Sequence, residues 1–182
     1  MNIPSRLLLT SLLLTSPVMA QQSAGAPAPQ THTGHLQCGP AQLSAETTYL
    51  DLPDQARQVL AQSLSLTNPA TGSPRRLVHD ARPLQQAFLK QTPVLDAAVT
   101  GWACLENSAG KAYIYLAYTC IESPARQQCV GNLREWVRLF DSKGTPLNAH
   151  APRSGQRTPA LMKKLGLRRF LSEGVSLQDI DE

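Results

Sequence analysis

The chain has 182 residues, of which 17 are Lys or Arg and 13 are Asp or Glu, giving a formal net charge of +4. The basic residues are scattered, apart from Arg75-Arg76 and a group between Lys163 and Arg169. This weak and dispersed charge argues against a nucleic-acid-binding protein. The length fits one domain with a sizeable core.

The N-terminal segment has the three parts of an export signal. Arg6 supplies a positive charge, residues 7–14 are mostly apolar, and Val18-Met19-Ala20 provides compact residues where a signal peptidase cleaves. The apolar part is shorter than the roughly 20 residues needed to cross a bilayer, and no later stretch is long enough. We therefore expect a signal peptide over residues 1–20, cleavage near Ala20, and a soluble periplasmic or secreted protein.

Residues 21–36 are rich in Ala, Pro and Gln, a composition that predicts a flexible leader. His32, His35 and Cys38 recur at three-residue spacing near its end, and imidazole and thiolate groups are ligands for zinc or copper. Because no fourth ligand lies nearby and Cys38 is expected in a disulfide, we predict no metal site. The remaining residues, 37–182, are predicted to form one α+β domain.

Two helices are predicted in the first half of this domain. Asp51-Leu52-Pro53 is typical of a helix start, and four apolar residues then recur at helical spacing: Ala56, Val59, Leu60 and Leu64. A second helix is predicted over residues 83–91, and Thr92-Pro93 interrupts it. Residues 94–98 are predicted to add one further helical turn.

The middle of the chain predicts an antiparallel β-meander. Residues 112–121 form the longest run of aromatic and branched side chains, without Gly or Pro. Residues 99–105 precede this run and residues 135–140 follow it, so both are expected to pair with it. We predict a register with Leu105 opposite Ala112. Both faces of the sheet are then largely apolar, which predicts helices on one face and partial cover or a partner on the other.

The C-terminal part predicts a turn and then helical structure. Residues 141–144 are typical of a tight turn, followed by at most an edge strand at 145–147. Thr158-Pro159 is typical of a helix start and Gly166 of its end, with a second short helix at 167–172. The predicted fold class is α+β: an antiparallel β-meander of three to four strands packed against N-terminal and C-terminal helices and stapled by disulfides.

The basic group between Lys163 and Arg169 is interspersed with apolar residues. Helices of this kind can lie on anionic membranes. Gly166 interrupts the pattern, so a solvated face on an ordinary packed helix is the favoured interpretation, and contact with a membrane surface is the less favoured alternative.

Four cysteines in an exported chain predict two disulfides, with three possible pairings. The predicted register separates Cys104 from Cys120 along the strands, which excludes that bond. We predict that Cys120 pairs with Cys129, closing a short loop, and that Cys38 pairs with Cys104. The pairing of Cys38 with Cys120 and of Cys104 with Cys129 stays open as the alternative.

An aromatic set in the meander has the composition of a recognition surface. In the predicted register Trp102, Tyr113 and Tyr115 share one face, and Trp136 and Arg138 repeat the pattern on the next strand. Because Trp, Tyr and Arg are enriched at interface hot spots, these five residues are the predicted binding site for a protein partner. The competing interpretation is a sheet core under a helix.

The motifs of the common enzyme classes are missing from the sequence, including the nucleophile elbow, the phosphate-binding loop and the zinc-protease His pair. His79-Asp80 is the one adjacent pair of a histidine and an acid, but an acid there also suits the start of the helix predicted from Pro83. We assign no catalytic residue and expect no cofactor.

The sequence therefore favours an exported binding or inhibitor module that recognises a protein partner in the cell envelope, such as a cell-wall hydrolase or a toxic effector. Two alternatives stay open: an envelope-polymer hydrolase with acidic catalytic residues, and an accessory protein of an envelope secretion system.

Overall fold

Strands dominate the computed structural model of this chain, which describes residues 27–52, 57–70, 72–85, 93–120, 129, 134–148 and 157–167. In chain order the elements are β1 (Gln30–Cys38), β2 (Ala41–Leu50), β3 (Gln58–Thr67), β4 (Arg75–Arg76), β5 (Pro83–Gln85), β6 (Pro93–Leu95), β7 (Ala97–Glu106), β8 (Ala112–Cys120), β9 (Glu135–Asp141) and α1 (Arg157–Lys164). The strands form a first sheet in the order β1-β2-β3-β4, a hairpin β5-β6, and a second sheet in the order β7-β8-β9. All neighbouring strands are antiparallel.

The predicted α+β fold class was wrong, because the described part of the chain is mostly antiparallel β-sheet. Residues 58–64, which were predicted to be helical, belong to β3. Val59, Leu60 and Leu64 fit a helical spacing, but from Ser63 to Thr67 polar and apolar residues alternate strictly. Leu64 and Leu66 are buried in the core, while Ser63 and Ser65 are partly exposed. The segment forms a strand instead of a helix because β2 and β4 provide hydrogen-bonding partners on its two sides. Residues 53–56 lie outside the described residues.

The predicted second helix and the helical turn after it are also replaced by strands where the structure describes them. β5 pairs with β6 through Leu84 and Val94, and Val94 is almost fully buried. Asp96 closes the hairpin, because its carboxylate accepts a hydrogen bond from the Arg82 amide while its own amide donates to the Arg82 carbonyl. Residues 86–92 of that prediction lie outside the described residues.

The first sheet opens with a hairpin that composition did not predict. Gly39-Pro40 joins β1 to β2 with Cys38 opposite Ala41, and Gly39 has a φ of 59°, which suits the first position of a type II′ turn. β1 contains residues 30–36, which composition places in the leader. A strand with one face in water has a linker-like composition, because only every second residue needs to be apolar.

The second sheet is the predicted meander, and its three strands are confirmed. The predicted register was wrong by one residue, since Leu105 lies opposite Tyr113 and Glu106 lies opposite Ala112. The turn at 141–144 is confirmed by a hydrogen bond from the Gly144 amide to the Asp141 carbonyl.

The two sheets pack face to face, and the second sheet is the middle layer of the molecule. Large buried residues from both sheets meet in one cluster: Leu36, Leu43, Leu64, Leu66, Trp102, Ile114, Leu116, Tyr118, Trp136 and Phe140. The other face of the second sheet carries a smaller cluster around Leu105, Tyr113 and Leu139, which is covered by α1 and the residues after it. The first sheet therefore covers one face of the meander, where the predicted N-terminal helices do not occur, and α1 covers the other.

The helix α1 begins and ends close to the predicted residues. Thr158 is buried near its start, and Gly166 follows it with a φ of 67°. Leu161 and Met162 pack on the second sheet, while Lys163 and Lys164 are exposed. Leu167 forms an isolated bridge instead of starting a second helix, and residues 168–172 lie outside the described residues.

Both disulfides have the predicted partners. Cys38 at the end of β1 is bonded to Cys104 on β7, and Cys120 at the end of β8 is bonded to Cys129. Two disulfides are typical of an oxidising compartment, the periplasm or the extracellular space. Over the described residues, no helix is both long and apolar enough to cross a membrane.

Candidate functional site

The five residues of the predicted aromatic surface lie on two different faces of the second sheet. Trp102, Trp136 and Arg138 point toward the first sheet, because Trp102 and Arg138 both lie opposite Leu116. Tyr113 and Tyr115 point to the other face, toward α1. The one-residue error in register accounts for the position of Trp102, since a slip of one residue moves every side chain of a strand to the opposite face.

The three residues that face the first sheet are held in the core. The Trp136 ring stacks on Tyr118 at a centroid distance of 5.1 Å, and its indole N–H donates to Asp80. Arg138 makes a bidentate ion pair with the same carboxylate, through Nε at 2.5 Å and Nη2 at 2.7 Å. Trp102 is 5% exposed. Core packing and an internal ion pair therefore account for the positions of all three side chains.

The two tyrosines lie under the helix. Tyr113 is buried, and Tyr115 borders a groove of about 280 Å³ together with Glu135, Thr158 and Met162. Burial raises the pKa of the Tyr115 phenol above its ordinary value of 10.0, and the Glu135 carboxylate raises it further. Among the described residues that line the groove, Glu135 is the one carboxylate, whereas a glycosidase needs two facing acids.

His79 and Asp80 are adjacent in sequence but turn to different partners. His79 Nε2 lies 2.8 Å from Gln62 Oε1, and His79 Nδ1 accepts from the Ala81 amide. The Asp80 carboxylate instead accepts hydrogen bonds from Arg138 and Trp136. The Asp80 carboxylate thus forms an ion pair with Arg138. In a catalytic pair, the acid would instead have to hydrogen-bond to the histidine that it orients.

His32, His35 and Cys38 do not form a metal site. Strand geometry places His32 and His35 on opposite faces of β1, and Cys38 is consumed in a disulfide. Nowhere in the described residues do three or more His, Cys, Asp or Glu side chains gather in a way that could hold a metal ion.

β1 is an edge strand, and it lacks the features that protect such edges. It is nine residues long, and its pairing with β2 is continuous without a bulge. The sequence from Gln30 to Cys38 contains no proline and no Lys, Arg, Asp or Glu. Long, uncharged, regular edges are templates for pairing with another chain, and native proteins normally blunt them.

The other three edges of the two sheets are protected. β4 is two residues long, and both are arginines. At β7, the side-chain amide of Gln62 bonds to both the N–H and the C=O of Val99, next to a bulge. At β9, the Leu147 amide donates to the Leu139 carbonyl. Within the described residues, β1 is the one long outermost strand without such protection. β4 pairs with β3 only at Ser65 and Leu66, and β6 also contacts β3.

The turn after β1 determines which of its backbone groups face the free edge. A two-residue turn places its flanking residues, Cys38 and Ala41, in a hydrogen-bonded pair, and hydrogen-bonded and free residues then alternate along an antiparallel strand. The amides and carbonyls that point away from β2 therefore belong to four residues, called the outward residues below: Thr31, Thr33, His35 and Gln37. Their side chains are all exposed.

Sequence reasoning missed this edge, although two signals were present. Gly39-Pro40 is a turn signal. After it, Ala41, Leu43 and Ala45 alternate with polar residues at the period of a strand. That β1 lies at the edge is a property of strand order, which no local pattern reveals.

A comparison with protein-family models, curated proteins and solved structures finds no match to this chain.

Proposed function

We propose that this protein is an exported binding module that recognises a protein partner through the free edge of β1. An extended segment of the partner pairs with β1 and becomes a fifth strand of the first sheet. The observation that carries this proposal is the contrast between β1 and the other three edges, which are short, charged or covered.

The backbone supplies the affinity in this mode of recognition. The four outward residues offer alternating N–H and C=O groups to an added strand, and main-chain hydrogen bonds of this kind are the common basis of β-strand addition. The absence of charged residues from β1 means that the edge itself does not repel a segment of either charge. The aromatic residues of the meander support the sheet beneath this edge.

The compartment fits this role. The disulfides are typical of an oxidising environment. Together with the signal pattern of residues 1–20 they support export to the periplasm. There the module would bind and inhibit an envelope hydrolase or a toxic effector. Disulfide bonding also keeps the edge extended, because the Cys38–Cys104 bond fixes one end of β1 to the second sheet.

Thr33→Pro tests the proposal, because proline removes an outward N–H without removing a bond to β2. The partner is captured from periplasmic extract with the immobilised mature chain, purified, and titrated calorimetrically against wild type and variant. Thr33→Pro should weaken binding by at least about tenfold, which corresponds to about 1.4 kcal/mol.

The matched control is Thr33→Ala, which changes the same side chain but keeps the N–H, and it should bind within about twofold of wild type. Thermal unfolding of each variant shows whether the fold is retained, and Thr31→Pro provides a second edge variant nearer the end of β1. Wild-type affinity in both proline variants would contradict the proposal.

A further inference from the structure

A groove opens beside β3 where its pairing with β4 ends. The Leu77 amide donates to the Leu64 carbonyl, and residues 77–82 belong to no strand. The groove has a volume of about 550 Å³ and is lined by part of β3, by this segment and by Leu95 of β6. Small-molecule sites typically measure about 300–1,000 Å³, so the groove has room for a small ligand.

Apolar side chains form much of the lining of this groove. Leu60, Ala81 and Leu95 are partly exposed there. Val78 also lines the groove and is 67% exposed, which makes it the one large apolar side chain of the described residues that lies mostly in water. A ligand with an apolar body would cover these four side chains, and the burial of apolar surface favours its binding.

The side chains of Gln62 and His79, which also line the groove, already use their hydrogen-bonding groups within the protein. The Gln62 oxygen accepts from the Val99 amide and from His79 Nε2, and the Gln62 NH₂ group donates to the Thr47 hydroxyl and the Val99 carbonyl. His79 Nδ1 accepts from the Ala81 amide. These bonds occupy the amide group of Gln62 and both ring nitrogens of His79. The part of a ligand that lies against these two side chains should therefore be apolar.

Arg76 supplies a positive charge to the groove. Its side chain is exposed, and its guanidinium makes no hydrogen bond or ion pair with another described residue. The neighbouring Arg75 instead donates from Nη1 to the Lys143 carbonyl at 3.0 Å. The described residues that line the groove include no Asp or Glu. An anionic group placed at Arg76 therefore gains a cationic partner and meets no carboxylate of the lining.

We infer that this groove binds a fatty acid, with its alkyl chain on the apolar lining and its carboxylate at Arg76. The guanidinium presents parallel N–H donors that match the two oxygens of a carboxylate. The alkyl chain needs no hydrogen-bond partner, which suits the satisfied side chains of Gln62 and His79. The groove lies beside β3 and β4, at the other end of the first sheet from β1, so this inference does not rest on edge pairing.

Titration of the isotope-labelled mature chain with sodium octanoate, followed by NMR, tests the inference. The methyl resonances of Val78 and Leu95 should shift and reach saturation. Octanol and octylammonium carry the same alkyl chain with a neutral or a positive head group, and each should bind at least about tenfold more weakly. From hexanoate to decanoate, binding should strengthen by up to about fourfold for each added methylene that is buried.

Arg76→Gln should weaken octanoate binding by at least about tenfold, because it removes the charged partner of the carboxylate. Arg75→Gln is the matched control, since it removes the same charge one residue away from a side chain that is bonded to Lys143, and it should bind within about twofold of wild type. Val78→Ser should weaken binding by at least about threefold. Thermal unfolding of each variant shows whether the fold is retained.

Three results would overturn the fatty-acid site. Equal losses in Arg76→Gln and Arg75→Gln, or octanol binding as tightly as octanoate, would show that Arg76 does not recognise the head group. Saturable shifts confined to residues outside the groove would place the ligand elsewhere. A peptide ending in leucine that binds the groove at least about tenfold more tightly than decanoate would identify a peptide C-terminus as the ligand instead. Thr33→Pro should bind octanoate within about twofold of wild type, so failure of edge pairing and failure of this site are distinguishable.

Discussion

Replacing Cys38 and Cys104 together with alanine should lower the free energy of unfolding by about 4.4 kcal/mol. The bond joins residues 66 positions apart and fastens β1 to the second sheet. A longer closed loop restricts the unfolded chain more, so its removal increases the entropy of the unfolded state more. Urea unfolding without reductant measures the change.

The matched comparison is the Cys120→Ala/Cys129→Ala variant. Its bond spans a sequence separation of 9, and the same chain-entropy relation gives about 2.7 kcal/mol. The long bond should therefore contribute more than the short one. The reverse order, or equal losses, would show that loop length does not govern the stability these bonds provide.

Arg138→Met should lower the free energy of unfolding by about 3 kcal/mol or more. The side chains of Arg138 and Asp80 are only 9% and 15% exposed, so methionine keeps much of the volume but leaves the carboxylate buried without its bidentate partner. Arg138 also donates to the Asn148 carbonyl, and this bond is lost as well. Chemical unfolding of the variant near pH 7 measures the loss.

The double variant Asp80→Asn/Arg138→Met separates the charge effect from the packing effect. Asparagine keeps an oxygen that can accept from the Trp136 indole and removes the negative charge that Arg138 otherwise neutralises. The double variant should be more stable than Arg138→Met alone. A double variant as unstable as the sum of the two single losses would show that the two residues are not coupled.

The strands of the meander, both disulfides and the single described helix were predictable because their signals are local. Residues 112–120 are dense in aromatic and branched side chains. The fold class was wrongly predicted because one face of β2 and of β3 carries polar residues toward solvent, which weakens the apolar signal of a strand. The spacing of Val59, Leu60 and Leu64 fits a helix, the alternation that ends at Thr67 fits a strand, and pairing with β2 decides between them.

The candidate site could not be predicted from the sequence for two physical reasons. The loop between β7 and β8 holds five residues, with the Asn107 side chain accepting from the Ala109 and Lys111 amides, and no local rule says whether Glu106 belongs to the strand or the turn. That single residue decides which face Trp102 occupies. The free edge of β1 depends on strand order, which arises from contacts between distant segments.

Amide hydrogen exchange along β1, with and without the bound partner, tests edge pairing most directly. In the free protein the amides of the outward residues should exchange fast, while those of His32, Gly34 and Leu36, bonded to β2, should exchange slowly. Binding should slow exchange at the outward amides by at least about tenfold and leave the other three nearly unchanged. Unchanged outward amides, with slowing confined to other strands or to α1, would contradict the proposal that β1 is the binding edge.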